Sequence, residues 1–262
     1  MPILAHRDFG GEGLPPLIIL HGMLGSSRNW QSAGRDLAAR FHVYALDLRN
    51  HGDSFHAREM SYAVMAADVL AWMDAMGLER AHLLGHSMGG KTAMRLAIDH
   101  PLCVEKLVVV DIAPKAYPRS HGLNFAAMHK LDLAALTSRQ QAEELLAADV
   151  TDWAMRKFLL TNLERRADGR GFRWIIHLAA LTEALPVLEA GFLQPGERFD
   201  GDVLFVLGGQ SRYFLPEDKP VTREHFPYVA FTTIAESGHN PHFDCREAFV
   251  SRVVDFLQRS PA

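Results

Sequence analysis

The chain has 262 residues, 48% hydrophobic and 22% charged, proportions that exclude a disordered, collagenous or coiled-coil protein. Its 27 basic and 31 acidic residues leave a net charge of −4, which gives no electrostatic reason to bind nucleic acid or an anionic membrane. The two cysteines, Cys103 and Cys245, are too few for a disulfide framework and favour a reducing compartment.

The N-terminal stretch carries His6, Arg7 and Asp8 with no apolar run behind them, so neither a secretory signal nor a lipidation site is read there. The longest apolar runs, such as Leu17-Ile18-Ile19-Leu20, are far shorter than the roughly 20 residues a membrane span needs. The expectation is a cytoplasmic protein without a membrane span.

Short β-prone runs recur at 17–20, 43–47, 81–85, 107–111, 203–207 and 229–234, separated by helix-length segments. Runs this apolar read as parallel strands covered on both faces. The clearest helix starts at Ser61, a predicted N-cap. Tyr62, Met65, Ala66, Val69, Leu70 and Met73 follow at helical spacing until Gly77 stops it. Strand alternating with helix predicts an α/β sheet with right-handed crossovers.

The alternation breaks between 112 and 201. There Ser138 and Gln141 are spaced as a capping box, 151–163 reads as a helix, Asp168-Gly169 as a turn and 172–176 as a short strand. This stretch reads as an insertion over the sheet. The expected division is a core of 1–111 and 202–262 with an inserted helical cap of 112–201.

Gly85-His86-Ser87-Met88-Gly89 follows one apolar run directly and precedes a helical pattern, the strand–turn–helix setting of a G-x-S-x-G nucleophile elbow. The flanking glycines let the backbone turn without side-chain clashes, and the following helix N-terminus favours developing negative charge. A rival reading uses the same residues. Gly85 to Thr92 also satisfies G-x-x-x-x-G-K-[ST], a phosphate-binding loop, and Leu107 to Asp111 has the form of an apolar strand ending in a magnesium-holding aspartate. On the hydrolase reading Lys91 is a solvated or ion-paired lysine of the first helical turn.

Three features favour the hydrolase. His21-Gly22-Met23-Leu24-Gly25-Ser26 follows the first clear strand, where the N–H of Met23 can join that of Met88 as an oxyanion hole. Such donors matter because losing one costs about 2.7–4 kcal/mol of transition-state stabilisation. Gly238-His239-Asn240 follows the last strand, where His239 serves as the general base, with His242 as a nearby competitor. The order of oxyanion loop, serine, acid and histidine is also kept along the chain. A metal set of His239, His242 and Asp244 lacks matching ligands elsewhere.

His21-Gly22, Asp47-Leu48-Arg49-Asn50-His51-Gly52-Asp53-Ser54, the stretch from Gly85 to Lys91, and Asp111-Ile112-Ala113-Pro114 together resemble the α/β-hydrolase superfamily. Within it the chain resembles the YbfF-like bacterial esterases and their mitochondrial abhydrolase relatives. The resemblance implies a mostly parallel eight-stranded sheet flanked by helices, a helical cap, and carboxylic-ester or thioester hydrolysis. It implies no metal or organic cofactor. The loop from Asp47 to Ser54 is expected to support the site structurally.

In most of the superfamily the acid follows the strand equivalent to 203–207. Here that loop reads Gly208-Gly209-Gln210-Ser211-Arg212, without a carboxylate, and Glu217 and Asp218 come only later. The resemblance offers Asp111, at the end of the preceding strand, as the expected acid, with Asp218 as the alternative. Haloalkane dehalogenases and epoxide hydrolases resemble this layout but use an aspartate nucleophile, so Ser87 points to acyl transfer. Carbon–carbon bond hydrolases and cofactor-free perhydrolases keep the serine and remain alternatives. A non-catalytic ligand-binding protein is a further alternative, although all three catalytic positions have candidates.

The partner expected is a small-molecule acyl ester or thioester. Phe125, Met128, His129, Trp153, Phe158, Phe172 and Trp174 of the insertion are the candidate substrate-binding residues. Arg165, Arg166, Arg170 and Arg173 read as solvated surface, with an anchor for an anionic head group as the alternative. Cys103 lacks an elbow and reads as packing.

Overall fold

The structure is a computed structural model and describes residues 2–118 and 121–259. Its strands are β1 (His6–Asp8), β2 (Pro16–Leu20), β3 (His42–Leu46), β4 (Ala81–His86), β5 (Val104–Val110), β6 (Leu163–Arg165), β7 (Phe172–Trp174), β8 (Val203–Gly208) and β9 (Val229–Ile234). Seven of them form one sheet in the order β1-β3-β2-β4-β5-β8-β9, with every pair parallel except β1 and β3. The six apolar runs became six of these strands. The seventh, β1, was invisible to hydropathy because His6, Arg7 and Asp8 are polar.

The expected eight strands are therefore corrected to seven among the described residues. The eighth rested on family likeness alone, with no seventh or eighth apolar run behind it. The outer edge of β1 carries exposed His6 and Asp8, which suit a strand edge that faces water.

Sheet residues alternate between two apolar layers, as the two-residue period of a strand requires. Ile18 and Leu20 face the larger cluster, which holds residues of α2 (Tyr62–Ala75) and α3 (Met88–Asp99). Leu17 and Ile19 face the smaller one, with residues of α1 (Gln31–Leu37) and the C-terminal helix (Arg246–Leu257). Ser61 caps α2 as its spacing predicts, its hydroxyl accepting from the Val64 N–H at 3.2 Å, and Gly77 ends it at φ 68°.

Residues 112–201 supply α4 (Gly122–Lys130), α5 (Arg139–Leu146), α6 (Trp153–Leu160), the antiparallel β6–β7 hairpin and α7 (Leu178–Leu188). The Ser138 hydroxyl accepts from the Gln141 N–H at 3.0 Å, but the Gln141 side chain accepts from the Thr137 N–H at 2.8 Å, one residue earlier than a capping box requires. Asp152 caps α6, and Gly169 turns the hairpin at φ 74°. Buried residues of this stretch, Phe125, Leu146, Leu159 and Leu181 among them, join the larger sheet cluster.

Residues 112–201 are also tied by polar contacts to loops at the C-terminal ends of the strands. Asn162 Nδ2 donates to the Leu24 carbonyl at 2.8 Å, and the His177 N–H to that of Asn50 at 3.0 Å. The remaining helices are α8 (Lys219–His225), α9 (Pro241–Asp244) and α10 (Arg246–Leu257). Among the described residues no helix is long and apolar enough to cross a membrane.

Candidate active site

Strand β4 delivers Ser87 at its C-terminal end, with φ 52° and ψ −118°. A non-glycine residue there costs on the order of 1–3 kcal/mol, a strain typical of functional turns. The motif's glycines are required by close approach. A Cβ on Gly85 would lie 2.3 Å from the Gly89 carbonyl oxygen, and one on Gly89 would lie 2.4 Å from that of Leu20. The elbow therefore packs backbone against backbone, and Ser87 stands half-buried at the start of α3. Met88 is the first residue of that helix, so its N–H has no acceptor within the helix.

The loop bearing Met23 is held from several sides. The His21 ring donates from Nδ1 to the Gly22 carbonyl at 2.8 Å and accepts at Nε2 from the Leu48 N–H at 3.0 Å. His51 donates from Nδ1 to the Arg49 carbonyl at 3.0 Å and accepts at Nε2 from the Leu24 N–H at 3.2 Å. Both rings are used as neutral imidazoles. Burial pulls His21 below the ordinary histidine range and His51 down to about 3. Asp47 accepts from the Ser27 N–H at 2.6 Å and the Asp53 N–H at 2.9 Å, while Arg49 pairs with Asp68 of α2. The polar loop from Asp47 to Ser54 thus fixes the backbone on both sides of Met23.

Asp111, at the end of β5, is wholly buried and sits at φ 50°. Its Oδ1 accepts from the Gly208 N–H at 2.9 Å, and its Oδ2 accepts from the Ser211 hydroxyl and from Nδ1 of His239 at 2.8 Å. Three donors offset the desolvation of a buried carboxylate. With Nδ1 donating, Nε2 of His239 is the nitrogen that can take a proton. The Tyr213 ring stacks on His239 with centroids 3.7 Å apart and planes at 18°. Nε2 of His86, the neighbour of Ser87, donates to the His239 carbonyl at 2.8 Å, joining elbow and histidine loop. Burial, then the nearby His239 and His242, hold His86 well below the usual histidine range.

The rival positions are otherwise engaged. Both carboxylate oxygens of Asp218 bind Lys115 Nζ, at 2.8 and 2.7 Å. His242 stacks on Trp30 at 4.1 Å, is pushed down to about 3 by burial, and has no partner for Nδ1 among the described residues. Asp244 accepts from the Gly238 N–H at 2.9 Å, and no metal-holding group of His, Cys, Asp or Glu occurs among the described residues.

Lys91 corrects the sequence reading: it is 2% exposed rather than solvated. Its Nζ donates to the Lys115 carbonyl at 2.8 Å and lies over the rings of Tyr117, Phe192 and Tyr62 at 4.8, 5.3 and 5.4 Å. Burial pulls it down to about 8. Helical position alone could not reveal this, because the aromatic rings come from distant segments. A lysine so enclosed is not presented to a nucleotide phosphate, and the aspartate of the rival reading is bonded to a histidine.

The candidate substrate-binding residues divide. Phe125, Met128 and Phe172 are buried in the larger apolar cluster, and Phe158 and Trp174 pack half-buried against it. Trp153 is 61% exposed and lines an outer groove between α5 and α6 with Arg139, Glu143 and Lys157. His129 bonds the Thr182 hydroxyl at 2.8 Å. Three of the four clustered arginines have local partners: Arg173 pairs with Glu164, Arg166 with Asp168, and Arg165 donates to the Thr137 carbonyl. Sequence reasoning missed the parts played by Ser211, Tyr213 and His86. For Ser211 the available signal was a short hydroxyl residue in the loop where a carboxylate was sought.

A family model described as "alpha/beta hydrolase fold" matches residues 15–244. The mouse protein named "sn-1-specific diacylglycerol lipase ABHD11" is 39% identical over 265 residues, covering 98% of this chain and 85% of its own. "Esterase YbfF" of Escherichia coli is 30% identical over 243 residues, covering 92% of each. Among solved structures, a "Marine microorganism esterase" superposes with a TM-score of 0.94 at 36% identity, covering 98% of this chain and 100% of that one.

Proposed function

This chain belongs to the α/β-hydrolase family, and from that premise we propose that it is a serine esterase acting through Ser87, His239 and Asp111. The observation that carries the reading is the 2.8 Å contact of His239 Nδ1 with the buried Asp111, on a loop that the His86 hydrogen bond joins to the strained elbow of Ser87. His239 Nε2 takes the Ser87 proton as the hydroxyl oxygen attacks the ester carbonyl. The N–H groups of Met23 and Met88 stabilise the resulting oxyanion. Collapse expels the alcohol, protonated by His239, and leaves an acyl-enzyme. Water, deprotonated by the same histidine, then releases the acid and restores Ser87.

Asp111 holds the imidazole in the tautomer with a free Nε2 and stabilises the imidazolium. Ser211 orients Asp111 by donating to the same oxygen, Oδ2. The residues 112–201 are read as a cap over a core of 1–111 and 202–262, with the acyl group bound between them. The name of the mouse relative supports an apolar acyl ester as substrate, and thioesters fit the same chemistry. The free thiols of Cys103 and Cys245 agree with a cytoplasmic enzyme.

The test is fluorophosphonate labelling of the wild-type protein and Ser87→Ala, followed by turnover of p-nitrophenyl esters and acyl-coenzyme A thioesters of graded chain length. Labelling and ester turnover should both vanish in Ser87→Ala. A wild-type protein that is neither labelled nor active overturns the reading.

A further inference from the structure

Tyr117 has no place in the steps above, yet its hydroxyl joins the two loops that flank His239. The oxygen accepts from the Ala113 N–H at 2.8 Å and donates its proton to the Tyr213 carbonyl. Ala113 follows closely on Asp111, the partner of His239 Nδ1. Tyr213 is the residue whose ring lies on the imidazole at 3.7 Å. The Tyr213 N–H also donates at 3.1 Å to the Ser211 hydroxyl, which itself donates to Asp111. One phenol thus closes a circuit through the acid's loop, the stacking tyrosine and the carboxylate.

The phenol is itself braced. Lys91, on the same helix as the elbow, sets its ammonium 4.8 Å over the Tyr117 ring and bonds the Lys115 carbonyl at 2.8 Å. Lys115 Nζ lies 5.3 Å from that ring while paired with Asp218. The Tyr117 N–H donates to the Glu189 carbonyl at 2.7 Å, just past α7. Burial raises the Tyr117 phenol above its usual range, so it keeps the proton it donates.

We propose that Tyr117, braced by Lys91, is a positioning residue that holds Tyr213 and the Asp111 loop in the relation that orients the His239 imidazole. This rests on the proposed roles of His239 and Asp111. Removing the hydroxyl leaves the Ala113 N–H and the Tyr213 carbonyl without that partner and frees both loops to shift. Displacements near 1 Å in a catalytic group can cost about a hundredfold in rate.

The experiment compares wild type, Tyr117→Phe, Lys91→Met and Lys91→Arg. It measures kcat and KM on a p-nitrophenyl ester, the rate constant of fluorophosphonate labelling and the fraction of protein finally labelled. Tyr117→Phe should lower kcat and the labelling rate constant together by about fivefold or more, with KM little changed and labelling complete. Lys91→Met should move both rates in the same direction, and Lys91→Arg should recover most of the loss. A smaller fall in Tyr117→Phe, or a fall confined to the labelled fraction or the melting temperature, overturns the proposal and leaves Tyr117 a stability residue. Ser87→Ala runs alongside: an active Ser87→Ala defeats the esterase mechanism itself, whereas an inactive one beside an unimpaired Tyr117→Phe defeats only the role of Tyr117.

Discussion

Nδ1 of His239 lies 2.8 Å from Oδ2 of Asp111, although 128 residues of chain separate them. The contact exists because β5, β8 and β9 lie side by side and parallel, so the loops after β5 and β9 open on the same edge of the sheet. The carboxylate is fully buried, while the imidazole is partly open to solvent. That asymmetry suits the proposed roles of Asp111 as a fixed acid and His239 as the proton carrier.

Replacing Asp111 by Asn should lower kcat by roughly 10⁴-fold, since an amide favours the wrong imidazole tautomer and does not stabilise the imidazolium. Asp218→Asn should cost about threefold or less, because the Asp218 carboxylate is engaged by Lys115 and the Leu215 N–H rather than by the His239 imidazole. Steady-state turnover of a p-nitrophenyl ester checks both, and a fully active Asp111→Asn refutes the acid assignment.

Ser211→Ala removes a hydroxyl that donates to the same oxygen as His239. A hydrogen bond to a charged group contributes about 1.5–3 kcal/mol, so kcat should fall by about ten- to a hundredfold with KM little changed. The pre-steady-state burst of nitrophenol should slow in parallel.

His51→Ala deletes the acceptor for the Leu24 N–H next to Met23. The oxyanion loop should loosen and kcat fall by roughly tenfold, in keeping with one lost hydrogen bond. Phosphonate inhibitors, whose P–O bond occupies the same donors, should lose affinity to a similar degree. Unaltered inhibition would count against the role of Met23.

Stability should fall on the acid side. His242 and His51 are held neutral in the fold at about 3, whereas in the unfolded chain they titrate near 6.5. Between those values the unfolded state binds protons that the folded state refuses, so stability is full above about pH 6.5 and is lost as the pH drops toward 3. His242→Phe keeps a ring for the stack on Trp30 but cannot be protonated. Its melting temperature should therefore decline less between about pH 7 and about pH 5 than that of the wild type.

Much of the core was legible because its signals are local. Six strands announced themselves as runs of apolar and β-branched residues. Five are buried almost throughout, as parallel strands covered on both faces are, whereas β9 is an edge strand with exposed Ala230 and Thr233. The elbow was legible because Gly85, Ser87 and Gly89 answer to one tight turn. The strand β1 was not, because an edge strand of His6, Arg7 and Asp8 is held by backbone bonds to β3 rather than by apolar side chains.

Ser87 and His239 were named by their own sequence surroundings, and Asp111 by family likeness. What tertiary structure decided was contact: Asp218 and His242, equally plausible as residue types, are occupied by Lys115 and Trp30. It likewise turned Lys91 from a surface lysine into the centre of an aromatic cage and gave Ser211 a carboxylate to bind. Hydropathy and local motifs act through neighbours along the chain, and they determined an α/β protein and singled out Ser87 as the candidate nucleophile. The environment of a buried polar group is assembled from segments remote in sequence, so only the folded chain decides which carboxylate meets which histidine.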